Sequence, residues 1–361
     1  MTKRPNLFDY ATSELSQDAF LCWLIQWADH KYATVDPALD PALHRTATEF
    51  LKSIGRKFDN NPFKEATALQ VEIEQQYKYI DVLVRIKIGD QTYALVIEDK
   101  TDSTARKGQL EQYRETIKKE YPESNLLLVY LKTGEILPEA KREAEKNEYV
   151  VYSRNDLLRV LETSAKETND SILSDFYIRL RQINIDCNKF RTERISKWTK
   201  NWRAWEGFFG ALHEEELGKT WFFVNNRSGG EYIFDLSWRG ISNFNVHVGL
   251  VIVKKWDSAG DGDGRCFLAF KVGKVTKEMN RSHVRADLYN SLMRQAKESE
   301  EWRGKVKRPE RFGSGNYMVF GEITDQDAWL AEFSDGKLDM AGTIKKLKKA
   351  KKLLEALSAG P

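Results

Sequence analysis

Apolar and polar positions change rhythm several times in the first half of this chain, and each change marks an element. Residues 13–28 place Phe20, Trp23, Leu24 and Trp27 at helical spacing, with Thr12 or Ser13 available as a cap. Residues 29–46 carry Pro37 and Pro41 among mixed polar residues and predict a loop. Ala47, Phe50, Leu51 and Ile54 then predict a helix that stops at Gly55. Val71-Glu72-Ile73-Glu74-Gln75 alternates and predicts a strand whose two glutamates share one face. Two further strands, 79–85 and 95–100, are joined by a polar turn around Gly89-Asp90. A helix is expected from Gln109 to about Glu120, then a strand buried on both faces in the unbroken apolar run 125–131. A strand at 149–153, a helix from Asn155 with Leu157, Leu158 and Leu161 inside, and a closing helix over 171–183 complete the series. That order predicts an α/β unit with a mixed sheet.

The second half has a different pattern. Strands are expected near 221–225, 232–238, 244–255, 265–272 and 317–323, with helices at 280–300 and at the C-terminal end, where Ile344, Leu347, Leu354 and Leu357 form the apolar face. This predicts an α+β domain with an antiparallel sheet. Asp261-Gly262-Asp263-Gly264 lacks the twelve-residue calcium-loop pattern and fits a hairpin turn. Between the halves, 186–205 interleaves Lys189, Arg191, Arg194, Lys197, Lys200 and Arg203 with Phe190, Trp198, Trp202 and Trp205. Such interleaving suits nucleic acid, but Trp198, Trp202, Trp205 and Phe209 recur at helical spacing, which favours a packed stripe with a charged outer face. The expected organisation is 1–185, a connector at 186–205, and an accessory domain at 206–361 that binds DNA or senses a signal.

Composition narrows the function. No apolar run approaches a membrane span, and Glu14 and Asp18 interrupt any secretory leader, so a cytoplasmic protein is expected. Cys22, Cys187 and Cys266 form no disulfide framework and are too few for a four-cysteine cluster, and the five histidines lack zinc-site spacing. The net charge of +3 hides an asymmetry: residues 1–190 carry 27 basic and 31 acidic side chains, residues 191–361 carry 30 and 23. The basic half is the better polyanion surface, with Lys305, Lys307, Arg308 and Arg311 as its best phosphate-contact loop and a lysine-rich last helix beside it.

The chemistry concentrates in the first half. Side chains alternate along a strand, so Glu98 and Lys100 share one face and Asp99 takes the other. Asp81 pairs naturally with that end of the hairpin. Two carboxylates are hard ligands suited to Mg²⁺ or Mn²⁺, and an adjacent lysine can steady an attacking hydroxide or a developing negative charge.

Acid, spacer, then acid-x-lysine on adjacent strands resembles the PD-(D/E)XK nuclease superfamily. Gln109-Leu110-Glu111-Gln112-Tyr113 resembles the Gln-x-x-x-Tyr motif of some of its branches. With Glu14-Leu15-Ser16-x-Asp18 near the start, the set is similar to a bacterial, defence-associated family of that superfamily. The resemblance covers about half of the chain. It implies a restriction-endonuclease-like core, with metal ligands from Asp81, Glu98, the Asp99 backbone carbonyl and Glu14. It further implies that Lys100 stabilises the nucleophile and that Gln109 and Tyr113 position substrate; Tyr113 packing on the sheet and Gln109 capping its helix remain the alternative. Asp18 stands as a supporting residue or a surface charge. Asp99 departs from the Asn common at its position, with its side chain expected to face away from the metal. The implied partner is DNA, with RNA and a homo-oligomer left open. Alternative functions are a ligand- or partner-gated nuclease and a catalytically silent nucleic-acid-binding module.

Overall fold

The structure is a computed structural model describing residues 6–11, 13–33, 41–66, 68–224, 230–241, 246–255, 264–276, 278–310, 312, 315 and 317–358. Thr12, Asp261, Gly262, Asp263 and Arg311 therefore lie outside the described residues. The chain divides into two compact units, Met1–Ile185 and Asp186–Pro361.

The first unit is built on a five-stranded sheet in sequential order: β1 (Gln70–Tyr77), β2 (Ile80–Ile88), β3 (Gln91–Lys100), β4 (Leu126–Lys132) and β5 (Val150–Ser153). β1, β2 and β3 pair antiparallel, whereas β3, β4 and β5 pair parallel, giving the expected mixed sheet. The β2–β3 turn consists of Gly89 and Asp90, and Gly89 adopts the positive φ (+59°) that a two-residue hairpin loop asks for.

Helices cover both faces. α1 (Glu14–Gln26), α2 (Pro41–Gly55), α5 (Arg154–Glu167) and α6 (Ser171–Thr192) belong to one side, where Phe20, Leu24, Phe50, Leu161 and Phe176 meet Val82, Val84, Leu95, Ile97 and Val129. α3 (Gln109–Ile117) and α4 (Pro138–Lys146) take the other, with Leu110, Tyr113, Ile117 and Ala144 on Leu83, Val96, Leu128 and Tyr130. β4 is buried along its whole length, as its unbroken apolar run predicts. β2 and β3 run longer than expected, to Ile88 and from Gln91, and two helix boundaries shift by more than five residues. α2 begins at Pro41 rather than near Ala47, because proline is well suited to a helix's first turn. α6 extends past 183 to Thr192. α5 starts with a reciprocal capping box between Ser153 and Asp156.

The second unit carries an antiparallel five-stranded meander: β6 (Thr220–Val224), β7 (Glu231–Ile241), β8 (Val246–Lys255), β9 (Cys266–Gly273) and β10 (Met318–Ile323). α7 (Ile195–Trp198) and α8 (Trp202–Glu214) precede it; α9 (Arg281–Glu298) packs on β10, and α10 (Met340–Ser358) on β7, β8 and α9. Trp198, Trp205 and Phe209 are fully buried, and the two indole rings lie 4.9 Å apart. These aromatics are thus core as expected, but not on one helix: Trp198 ends α7, Trp205 and Phe209 lie on α8, and Trp202 is half-buried and stacked by Arg203 at 4.2 Å. Lys305 and Arg308 lie over Trp302 and Phe312, and the Lys307 backbone pairs with Glu322. Among the described residues no helix is long and apolar enough to cross a membrane.

Candidate active site

The site forms where β2 begins and β3 ends. Val82 pairs with Ile97, so Asp81 and Glu98 are the next residues on neighbouring strands, on the face covered by α3. Lys100 lies two residues on from Glu98 on that same face. Its ammonium stands 2.7 Å from Glu98 Oε1, 3.3 Å from Asp81 Oδ2 and 3.8 Å from Glu14 Oε2, and donates to the Asp99 carbonyl at 2.8 Å. Three carboxylates and a backbone carbonyl, drawn from α1, β2 and β3, thus converge on one positive charge.

Each partner is held from behind. Glu14 Oε1 accepts from the Thr101 amide (3.1 Å) and the Ser103 hydroxyl (2.6 Å), which fixes the first turn of α1 over the end of β3. Gln109, the first residue of α3, donates to both Glu98 Oε1 (2.8 Å) and the Tyr113 hydroxyl (2.9 Å), and its own carbonyl accepts from the Arg106 amide. The structure therefore places Gln109 in contact with the acid cluster and Tyr113 behind it, one hydrogen bond further from the acids. Both are also packed, with Tyr113 buried against the sheet as the structural alternative expects.

Asp99 points to the other face of the sheet. Its Oδ1 accepts from Gln17 Nε2 at 2.6 Å, and Gln17 Oε1 in turn accepts from Thr133 at 2.8 Å. Asp18 lies against the same carboxyl and is buried rather than a surface charge. Among the described residues, Asp18 Oδ1 and Asp99 Oδ2 have no hydrogen-bond partner, and a proton shared between the two carboxyls would satisfy both. Burial first, and then the neighbouring carboxylates, push Asp18 up to about 7 and raise Asp99 as well. Gln17 and Thr133 were not singled out from the sequence. The available signal was that Gln17 lies three residues, about one helical turn, beyond Glu14. Lys132, beside Lys100 in the β3–β4 register and donating to the Ser103 carbonyl, was missed as well.

The ends of β3 and β4 are locked together. Beyond the last strand pair, the Thr133 and Gly134 amides donate to the Lys100 and Thr101 carbonyls at 3.0 Å each. A Cβ at Gly134 would stand 2.3 Å from the Thr101 oxygen, so only glycine allows this approach.

The electrostatics follow from burial. Glu98 has no solvent exposure, which pushes its carboxyl up to about 8; Asp81 adds to the rise and Lys100 opposes it. Burial alone would lower the Lys100 ammonium, but Glu98, Asp81 and Glu14 outweigh it, and the net shift is upward. Lys100 is therefore a fixed cation and not a ready base.

The family-level comparison matches residues 5–197, just over half of the chain, to the PD-(D/E)XK nuclease superfamily. The chain belongs to that superfamily. No curated protein and no solved structure gives a match. As generally in PD-(D/E)XK nucleases, a divalent ion is implied. Among the described residues, no three His, Cys, Asp or Glu side chains stand arranged as a metal cage, and the Lys100 ammonium lies where the acids converge. The donor set nonetheless fits a hard cation. All donors are oxygens, and Glu98 Oε2 is a buried lone-pair donor with no hydrogen-bond partner among the described residues.

Proposed function

We propose that this PD-(D/E)XK protein is a divalent-metal-dependent nuclease that hydrolyses DNA phosphodiester bonds, in defence against foreign DNA or in DNA processing. What supports this reading most directly is the convergence of Asp81, Glu98, Glu14 and the Asp99 carbonyl on the single position held by the Lys100 ammonium. Bound Mg²⁺ or Mn²⁺ would be held by those oxygens and would supply charge neutralisation and water activation. Lys100 contributes a permanent positive charge beside the reacting phosphate. Gln109 orients Glu98 by its 2.8 Å hydrogen bond, and Tyr113 is oriented through the same amide. Glu14, tied to Thr101 and Ser103, keeps a third carboxylate at the mouth of the site.

The test is cleavage of linear, circular and single-stranded DNA, and of RNA, with and without Mg²⁺ or Mn²⁺, comparing the wild type with Lys100→Ala and Glu98→Ala. Metal-dependent cleavage that falls by roughly 10²- to 10³-fold in Lys100→Ala is the expected result, the size seen when one preorganised electrostatic group is removed. Cleavage that survives both substitutions removes the basis of the assignment.

One observation favours a gated form of the same activity. The ammonium sits at the acids' meeting point, and Glu98 is sealed from solvent. In that form the nuclease would bind its strand but stay silent until a ligand or partner shifts α3 or Lys100. Purified protein that is inactive alone and cleaves once a trigger is added distinguishes the gated form.

A further inference from the structure

The turn just before Asp81 is built against local preference. Tyr77 pairs with Ile80, so the β1–β2 loop consists of two residues, Lys78 and Tyr79. Their φ values are +50° and +72°, the double left-handed signature that two-residue hairpins normally meet with Asn-Gly. Gln76 is left-handed too, at φ +56°. It stands opposite Asp81, between the ladder pairs Gln75–Val82 and Tyr77–Ile80. Three non-glycine residues in four thus adopt a conformation that L side chains avoid.

Two of the side chains nearby have an intramolecular task. The Tyr77 hydroxyl and the Lys78 ammonium both donate to Glu120, and Lys78 and Arg85 lie over the Tyr77 ring at 4.9 and 5.4 Å. Tyr79 has none: among the described residues its side chain finds no hydrogen bond or ring contact, and it is 77% exposed. Its Cα lies within about 7 Å of that of Asp81, the reach of two residues. Leu15, next to Glu14, is also 65% exposed. A strained backbone that holds an exposed, unpartnered aromatic ring two residues from a site acid points to a ligand with a flat apolar face.

We propose that Tyr79 stacks on a nucleobase of the strand being cut, and that the substrate is therefore a strand with an unstacked base at the scissile phosphate, single-stranded or frayed at an end. This rests on the nuclease reading and adds the substrate class. A base inside a duplex has both faces covered by its neighbours, so only an unstacked one offers a face to the ring.

The experiment measures equilibrium binding of a fluorescent single-stranded oligonucleotide in EDTA, together with KM and kcat for its cleavage in Mg²⁺. Tyr79→Gly weakens binding and raises KM about 5- to 150-fold, the range of one base–aromatic stack. kcat changes much less. Tyr79→Phe restores binding, whereas Tyr79→Leu does not. An oligonucleotide with an abasic site beside the scissile phosphate binds the wild type as weakly as Tyr79→Gly binds the normal strand, and combining the two perturbations adds little further loss. Because glycine suits the left-handed position, Lys78→Asn combined with Tyr79→Gly melts higher than the wild type while binding more weakly, so loss of binding is not loss of fold. Unchanged binding and KM in Tyr79→Gly, with wild-type cleavage intact, overturns this inference alone. A wild type that neither binds nor cleaves any strand overturns the nuclease reading with it.

Discussion

Replacing Asp18 by Asn is expected to stabilise the protein at alkaline pH and to change little in acid. Asp18 is raised from an ordinary 3.8 to about 7, first by burial and then by its carboxylate neighbours. The folded chain thus holds this proton more tightly than the unfolded chain does. Its stabilising contribution is complete below pH 3.8 and is lost as pH rises through about 7. The full loss is bounded at about 4 kcal/mol, since each tenfold gain in proton affinity corresponds to about 1.4 kcal/mol. An Asn amide donates to the orphaned Asp99 Oδ2 at any pH, so Asp18→Asn escapes that loss. If half the bound is recovered, the melting temperature at pH 8 rises by roughly 4–8 °C for a domain of this size. Urea and thermal unfolding of wild type and variant, each at pH 4.5 and 8 in EDTA, measure the gap. A gap that is the same at both pH values, or a variant that melts lower at pH 8, refutes the shared-proton account.

Three further outcomes follow from the same geometry. Gln17→Leu strips the buried Asp99 Oδ1 and the Thr133 hydroxyl of their shared partner and costs about 2–4 kcal/mol of unfolding free energy in urea, because buried polar groups left unpaired carry their full desolvation penalty. Gly134→Ala forces the β3 and β4 ends apart at the Thr101 carbonyl; it destabilises by about 1–3 kcal/mol and lowers cleavage through displaced Glu14 and Lys100, measured by melting and by kcat together. Asp156→Ala removes the capping box of α5 and costs about 1 kcal/mol near neutral pH. Burial alone would raise the Asp156 carboxyl, but its bonds to Ser153 and Lys57 hold it below the usual range, so its contribution is present above pH 4 and the deficit of the variant, read from urea unfolding across that range, shrinks as pH falls further.

Much of this architecture was legible in the chain because it depends on short-range periodicity. The two-residue alternation of β3 separates Asp99 from Glu98 and Lys100, and the Gly89-Asp90 turn sets the register that brings Asp81 beside Glu98. The apolar run of β4 announced a strand buried on both faces, and the five strands of the second sheet were each visible as apolar stretches between turns. The Trp198, Trp202, Trp205 and Phe209 spacing announced a packed aromatic cluster, although the chain breaks between α7 and α8 and Trp202 is only half-buried. What was not legible joins residues far apart in sequence. Gln17 meets Asp99 across 82 positions and Thr133 across 116, and no local pattern encodes either contact. A backbone choice escaped too: the left-handed Lys78 and Tyr79 are set by strand pairing that overrides local preference.

Glu98, roofed by the Gln109 amide and closed to solvent, imposes a kinetic consequence. On the proposed reading, an arriving ion reaches the Glu98 oxygens only during intervals when the roof is lifted. Its observed rate of capture should level off at high ion concentration, at a ceiling set by how often the first turn of α3 opens.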